Sequence, residues 1–333
     1  MGTVSQINTI KFFFQNFTEK ELIFLVNFIS KESFEPGDLI ISQGNISDSL
    51  YIIEKGSVDV YVTLPGDLIK STSVLTAPQI FGEEAFLSNE LMTTTIVAKT
   101  SVHCFLLKRS VLNALRLTHP EISFKIECAI IRQTNEKIIN NGKKLINFLL
   151  SLQVKHNLRS NHADYLLNKE ATYQDLNIKS INRQLLDKLA FLNALTKTQI
   201  DELVIIMRAR LYEKGYLLDK QSSGKISLVF SGAVMFFLTN QTKLVKSIGI
   251  IGIGELFLQS LLAQNSKSLF KFVTCEESII LELDIQQYQK LKHLNQEVFY
   301  KVSQYIHTAF VRSLYMINRQ FIRIDCEYMN SIS

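Results

Sequence analysis

Hydrophobic and polar positions change rhythm along this chain. Near the start, Phe13, Phe14 and Phe17 precede Thr18-Glu19-Lys20-Glu21, and Leu22, Leu25, Val26 and Ile29 follow at helical spacing. Thr18 with Glu21 fits a capping box, so a helix is predicted there. The texture then turns to strands. Phe34-Glu35-Pro36-Gly37-Asp38 reads as a turn, Leu39-Ile40-Ile41 as a short strand and Gln43-Gly44-Asn45 as another turn. Leu50 to Val62 reads as a strand, a glycine turn at Gly56 and an alternating strand. Thr95 to Ala98 and Val102 to Leu107 predict two more strands, and helical text resumes over Ser110 to Leu115. Many short strands with regular glycine turns predict a barrel or jelly roll.

The second half repeats this order. Leu192 to Ile200 echoes Gln15-Asn16-Phe17-Thr18 and its helix, Tyr212 to Leu218 echoes Phe34 to Ile40, and Ile226 to Val234 echoes Leu50 to Val58. Gly254-Glu255-Leu256-Phe257-Leu258 echoes Gly82 to Phe86. Gly215 stands 178 residues after Gly37, Gly232 stands 176 after Gly56, and Gly254 stands 172 after Gly82. Offsets that drift only by small insertions predict a two-copy repeat. Between the copies Ile131, Ile138, Leu145 and Leu152 recur every seven residues. They predict one long amphipathic helix or two successive ones, with Gly142 as the stop. That helix either packs on the first barrel or serves a homodimer; Asn135 and Gly142 in a second stripe argue against a strict coiled coil.

Length and composition fit this picture. At 333 residues two domains are expected, and 47% hydrophobic residues suffice for packed cores. The expected boundaries are 1–140 for the first domain, 141–185 for a helical basic connector, and 186–333 for a second, degenerate domain with C-terminal helices. The net charge of +5 is uneven: residues 123–190 hold 11 Lys/Arg against 6 Asp/Glu. That marks a basic connector rather than a basic protein. Met1-Gly2-Thr3-Val4-Ser5-Gln6 predicts no signal peptide, and no apolar run approaches the roughly 18 residues of a membrane span. The scattered Cys104, Cys128, Cys275 and Cys326 read as small hydrophobes in a reducing compartment, so a cytoplasmic protein is expected.

The chemistry concentrates in Phe81-Gly82-Glu83-Glu84-Ala85-Phe86-Leu87-Ser88-Asn89-Glu90-Leu91-Met92-Thr93-Thr94-Thr95. A glycine turn, a carboxylate, a short apolar helix and a threonine-rich return are a layout that can meet a small anion with backbone N–H groups. With the Pro36-Gly37 turn, Gly44, and Tyr51 to Val58, this segment resembles the cyclic nucleotide-binding domain family, in tandem. The family includes catabolite-activator-type regulators and the regulatory subunits of cAMP-dependent protein kinase. The resemblance spans roughly residues 10–140 and, more weakly, 186–325. It implies an α+β fold with two β-jelly-roll barrels flanked by helices. It also implies a phosphate-binding cassette in which Gly82 permits close backbone approach and Glu83 accepts from a ribose hydroxyl. Glu84, Ala85, Thr93 and Thr94 would border the site, and cAMP or cGMP would be the ligand. The family's arginine falls at Met92. Losing a charge-assisted bond of about 1.5–3 kcal/mol would weaken binding by about ten- to a hundred-fold. In the second copy Gly254 and Glu255 stand for the glycine and glutamate, Ser222 replaces the glycine matching Gly44, and Lys267 and Ser268 fall near the arginine position.

Other chemistries find less support. Of six histidines only His103 falls in barrel text, so a metal-dependent barrel enzyme is not expected. No serine-histidine-aspartate set, P-loop or HExxH is present. Glu83 and Glu84 would point opposite ways on a strand and form no acid–base pair. Residues after Tyr288 carry an apolar helical stripe with thinly spread Arg312, Arg319 and Arg323, which indicates no DNA-reading helix. Lys143, Lys144, Lys155 and Arg159 read as a solvated face, and no specific nucleic acid is expected. The expected protein is a non-enzymatic regulator that senses a cyclic nucleotide or related small ligand through the first barrel. The alternative is an adaptor, bound to a protein partner, whose pockets no longer take cyclic nucleotides.

Overall fold

The computed structural model describes residues 10–64, 66–156, 167–178, 181, 186, 189, 192, 194–218, 224–240, 243–258 and 269–332. The chain divides into two compact units. One joins residues 1–137 to residues 311–333, and the other is 138–310. This differs from the expected boundaries at the C-terminus, where the final helical stretch belongs with the first unit because Val311 is buried in that unit's core.

The first unit begins with α1 (Glu19–Val26), closed at its start by the capping box that Thr18 and Glu21 predict. Ile29, grouped with this helix by spacing, opens β1 (Ile29–Phe34) instead. The strands β2 (Leu39–Ile41), β3 (Ser49–Lys55), β4 (Ser57–Leu64), β5 (Leu68–Thr76), β6 (Ile80–Phe81), β7 (Thr95–Ala98) and β8 (Val102–Lys108) follow. The short helix α2 (Glu83–Ser88) lies between β6 and β7, and α3 (Arg109–Thr118) and α4 (Pro120–His156) follow β8. Two antiparallel sheets result, ordered β1-β8-β3-β6 and β2-β7-β4-β5. β5 escapes a sequence reading because it is an edge strand with an almost wholly exposed run, Leu68 to Ser71.

Alternation in the strands decides where each side chain goes. Ile53, Cys104 and Leu106 of one sheet meet Val58, Val60, Ile96 and Ala98 of the other, forming the interior between them. Leu50, Ile52, Phe105 and Leu107 point the other way and pack with Phe14, Leu25, Leu112, Leu115 and Ile130. Full burial of one such side chain contributes about 1.5–3 kcal/mol.

The second unit repeats the plan. Its elements are β9 (Tyr173–Leu176), α5 (Lys197–Ile205), β10 (Arg208–Tyr212), β11 (Lys225–Ser231), β12 (Val234–Asn240), β13 (Lys243–Ile251), β14 (Leu256–Leu258), β15 (Phe270–Thr274), β16 (Ser278–Asp284) and α6 (Ile285–Leu294). The last helix, α7, runs Gln296–Ile332. α5 carries a second capping box, Thr196 with Gln199. The Gly37 N–H bonds to the Ala98 carbonyl at 2.8 Å, and the Gly215 N–H bonds to the Thr274 carbonyl at 2.9 Å. The repeat is therefore one of structure and not of composition only.

Three expectations change. The connector is not wholly helical: Tyr173–Leu176 adds an edge strand to β10, with Asp175 bonded to Arg210 at 2.7 Å and Tyr173 packed on Tyr212. Gly142 does not stop a helix, since α4 continues to His156. A Cβ at Gly142 would come within 2.8 Å of the Phe270 ring, so the glycine serves close packing. Gly254 and Glu255 head no second cassette helix. β14 pairs Phe257 with Ser227, as β6 pairs Phe81 with Tyr51. Phe257 thus stands 176 residues after Phe81, and Gly254-Glu255 lie in the turn before the strand that should precede a cassette. Phe257 fixes this register by packing on Phe272 at 5.0 Å. The Glu255 carboxylate accepts from the Gly252 N–H at 2.8 Å within that turn. Ser222, Lys267 and Ser268 lie outside the described residues.

Candidate functional site

The site is built where β6 ends. Gly82 adopts φ +89°, and a Cβ there would meet the Ser49 carbonyl oxygen at 2.6 Å. Only glycine lets the chain turn sharply from β6 into α2 against β3. α2 ends at Asn89, whose N–H returns to the Ala85 carbonyl at 3.1 Å. Arg109 donates to the Asn89 side chain and to the Ser47 carbonyl, tying that end to β3's entry. Burial depresses the Arg109 pKa.

Glu83 and Glu84 open α2, so they lie on a helix rather than a strand, and they diverge toward different partners. Glu83 is 3% exposed. Lys137 of α4 donates to its carboxylate and also to the Ile80 carbonyl at 2.8 Å. One turn earlier, Gln133 accepts from the Ile80 N–H at 3.0 Å and donates to the Pro78 carbonyl at 3.2 Å. Two side chains of α4 thus grip both polar groups of Ile80, on the strand that leads into the cassette.

Glu84 is 4% exposed. One carboxylate oxygen accepts from the Thr93 N–H at 3.2 Å and from the Thr93 hydroxyl at 2.7 Å. The other accepts from the amide nitrogen of Asn318, which also donates to Thr93 Oγ1 at 3.2 Å. Asn318 comes from α7, 234 residues further along the chain. Burial raises the Glu84 pKa, and the Thr93 hydrogen bond opposes that rise without cancelling it. Glu90, beyond α2, lies 3.6 Å from Arg312 of α7.

Ala85 is fully buried, and Thr94 is half-buried beside Thr93. Met92, 4% exposed, packs in the interior with Ile41, Val60, Phe81, Ala85 and Ile96. Its backbone bonds to Gly44 and Asn45 at 2.8 and 2.9 Å. Position 92 is therefore filled by a thioether joined to the apolar core.

The structure thus brings Gly82, Glu83, Glu84, Ala85, Met92, Thr93 and Thr94 together, and leaves Gly254 and Glu255 in a separate turn. Sequence reasoning missed Gln133, Lys137 and Asn318. The spacing of Gln133 and Lys137, one helical turn apart on α4, was a usable signal. Asn318 left none.

Residues 31–119 match the family of the cyclic nucleotide-binding domain. That segment is a cyclic nucleotide-binding domain. It is similar to a cGMP-dependent protein kinase of Plasmodium berghei, 32% identical over 102 residues, which are 31% of this chain and 11% of the kinase. A cAMP-dependent protein kinase regulatory subunit of Blastocladiella emersonii is 28% identical over 108 residues, 32% of this chain and 27% of that protein. The chain thus spans about a tenth to about a quarter of the length of these relatives. Among solved structures, cAMP-bound PfPKA-R (141–441) is 17% identical, with 90% of this chain and 89% of that one covered and a TM-score of 0.32. Among the described residues, no helix is long and apolar enough to cross a membrane.

The matched segment keeps the glycine turn and the glutamate at Gly82-Glu83, but its two cassette carboxylates already have partners in the chain. His103 bonds to Ser33 of the neighbouring strand at 2.7 Å.

Proposed function

We propose that this chain is a non-enzymatic regulatory protein whose first cyclic nucleotide-binding domain acts as an interaction module with a cassette no longer tuned to cAMP or cGMP. The observation that carries this reading is Met92, a buried thioether in the interior core where the family places its phosphate-binding arginine. An apolar side chain offers a cyclic phosphate no charge-assisted bond. The related kinases and regulatory subunits support a regulatory role, and a protein partner is the kind of ligand such a module would take. A homodimer remains one form of that partner.

A second reading is favoured by Lys137. This lysine brings a cation to Glu83, the residue assigned to a ribose hydroxyl. On that reading the first domain senses a cyclic nucleotide or related small ligand, with Lys137 changing partner on binding.

Calorimetry of the purified chain against cAMP and cGMP separates the two. The interaction reading expects no binding by the wild type, and binding gained in Met92→Arg. Tight binding by the wild type, lost in Glu83→Ala, refutes it in favour of the sensor.

A further inference from the structure

The cassette has a resident occupant. Helix α7 contributes three side chains to the first unit on its cassette side. Val311 is fully buried in the helix-packed core, Arg312 lies 3.6 Å from Glu90, and the Asn318 amide donates to both Glu84 and Thr93. Leu314, Ile317 and Ile324 are buried at helical spacing from Val311. The first turn of α2 and the segment before β7 are therefore met by one helix.

Chemistry explains why an asparagine stands at the centre. A buried carboxyl is costly unless its oxygens accept hydrogen bonds. An amide nitrogen supplies two donors without adding a charge, and here it reaches both the Glu84 carboxylate and the Thr93 hydroxyl. Thr93 donates to Glu84 and accepts from Asn318, so the three form one connected network. Without α7, one oxygen of Glu84 and the acceptor side of Thr93 would need other donors.

We infer that residues 311–324 of α7 and the cassette mask each other, with Asn318 as the latch, so that any ligand or partner using Glu84 or Thr93 must first displace the C-terminal helix. This goes beyond the reading of the first domain given above and holds whether the displacing group is a nucleotide or a peptide. A ligand moves such an equilibrium only by its differential affinity for the open state. The strap therefore lowers every apparent affinity at the cassette by the fraction of time it is open.

Hydrogen exchange of the full chain, followed by mass spectrometry, tests this. Asn318→Asp sets a second carboxyl against Glu84. Exchange is expected to rise about tenfold or more in residues 84–93 and 311–324 together, while β3 and β4 keep wild-type protection. Unchanged exchange in both segments overturns the inference. So does a rise confined to 311–324, because the cassette would then not depend on the strap. If Asn318→Asp raises exchange throughout the first unit, Arg312→Glu at the more exposed pair decides. A rise of several-fold limited to residues 88–93 and 311–324 supports the strap, and wild-type exchange there overturns it.

Discussion

Lys137→Met tests whether the cassette glutamate depends on α4. Lys137 makes two contacts at the base of the cassette, one with the Glu83 carboxylate and one with the Ile80 carbonyl at 2.8 Å. The Glu83 side chain is 4% exposed and the Lys137 side chain 19%. Removing one partner of a buried pair typically costs about 3–5 kcal/mol, because the other charge is left unmatched. Lys137 retains some access to water, so about 2–4 kcal/mol is the better expectation. For a unit of this size each kcal/mol shifts the melting temperature by about 2–4 °C, which gives a fall of about 4–16 °C. The assay is a thermal melt of the full chain with a double-mutant cycle. Glu83→Gln/Lys137→Met removes both charges and should recover more than half of the loss, with a coupling of about 1–3 kcal/mol. Lys99→Met is the control. Its partner Asp59 lies 3.1 Å away, but the lysine side chain is 47% exposed, so the change should stay below about 1 kcal/mol. A Lys137→Met melt within about 2 °C of the wild type, or strictly additive single mutants, would refute the reasoning.

Other consequences follow from the same geometry. Gly82→Ala should destabilise the first unit by at least about 1–2 kcal/mol, since φ +89° is unfavourable with a Cβ and the Ser49 carbonyl is 2.6 Å away; denaturant melts read this. Glu84 carries a pKa raised by burial above its ordinary 4.5, so the folded chain holds this proton more tightly than the unfolded chain. Its contribution to stability is complete below about pH 4.5 and is lost as pH rises through the raised value. Melting temperatures taken from about pH 5 to about pH 8 should therefore fall less steeply in Glu84→Gln than in the wild type, although a glutamine that keeps both Thr93 donors turns its own N–H groups toward the Asn318 amide. Cys104 is fully buried and its thiol is pushed up to about 12, chiefly by burial. It should resist iodoacetamide in the folded chain at about pH 8 and react after denaturation; comparable labelling in both states would show that the interior opens readily.

How far the sequence could be read depended on the range of the interaction concerned. The capping box at Thr18 is decided within four residues and stands as expected, and its counterpart at Thr196 is built the same way. Gly82 is set by a turn whose demands are local, and it takes the left-handed backbone that its place before a helix requires. The match of Gly254-Glu255 to that turn failed because strand register depends on cross-strand packing. Phe257 against Phe272 and Ser227 places the Gly-Glu pair four residues early, a displacement that a dipeptide match has no means to detect. Lys137 and Asn318 were hidden for a further reason. A glutamate in a sequence suggests an acceptor waiting for a ligand, yet a carboxylate 3–4% exposed must be matched within the fold itself. With Met92 joined to the apolar interior, the donors come from the helices: a cation from α4 for Glu83, and a neutral amide from α7 for Glu84. Both contacts answer one constraint, the cost of burying acidic groups without donors. An arginine placed at position 92 would offer a further donor beside Thr93, so Met92→Arg and Asn318→Ala should be less than additive in a thermal melt. Full additivity would separate the two features and leave Met92 a packing residue only.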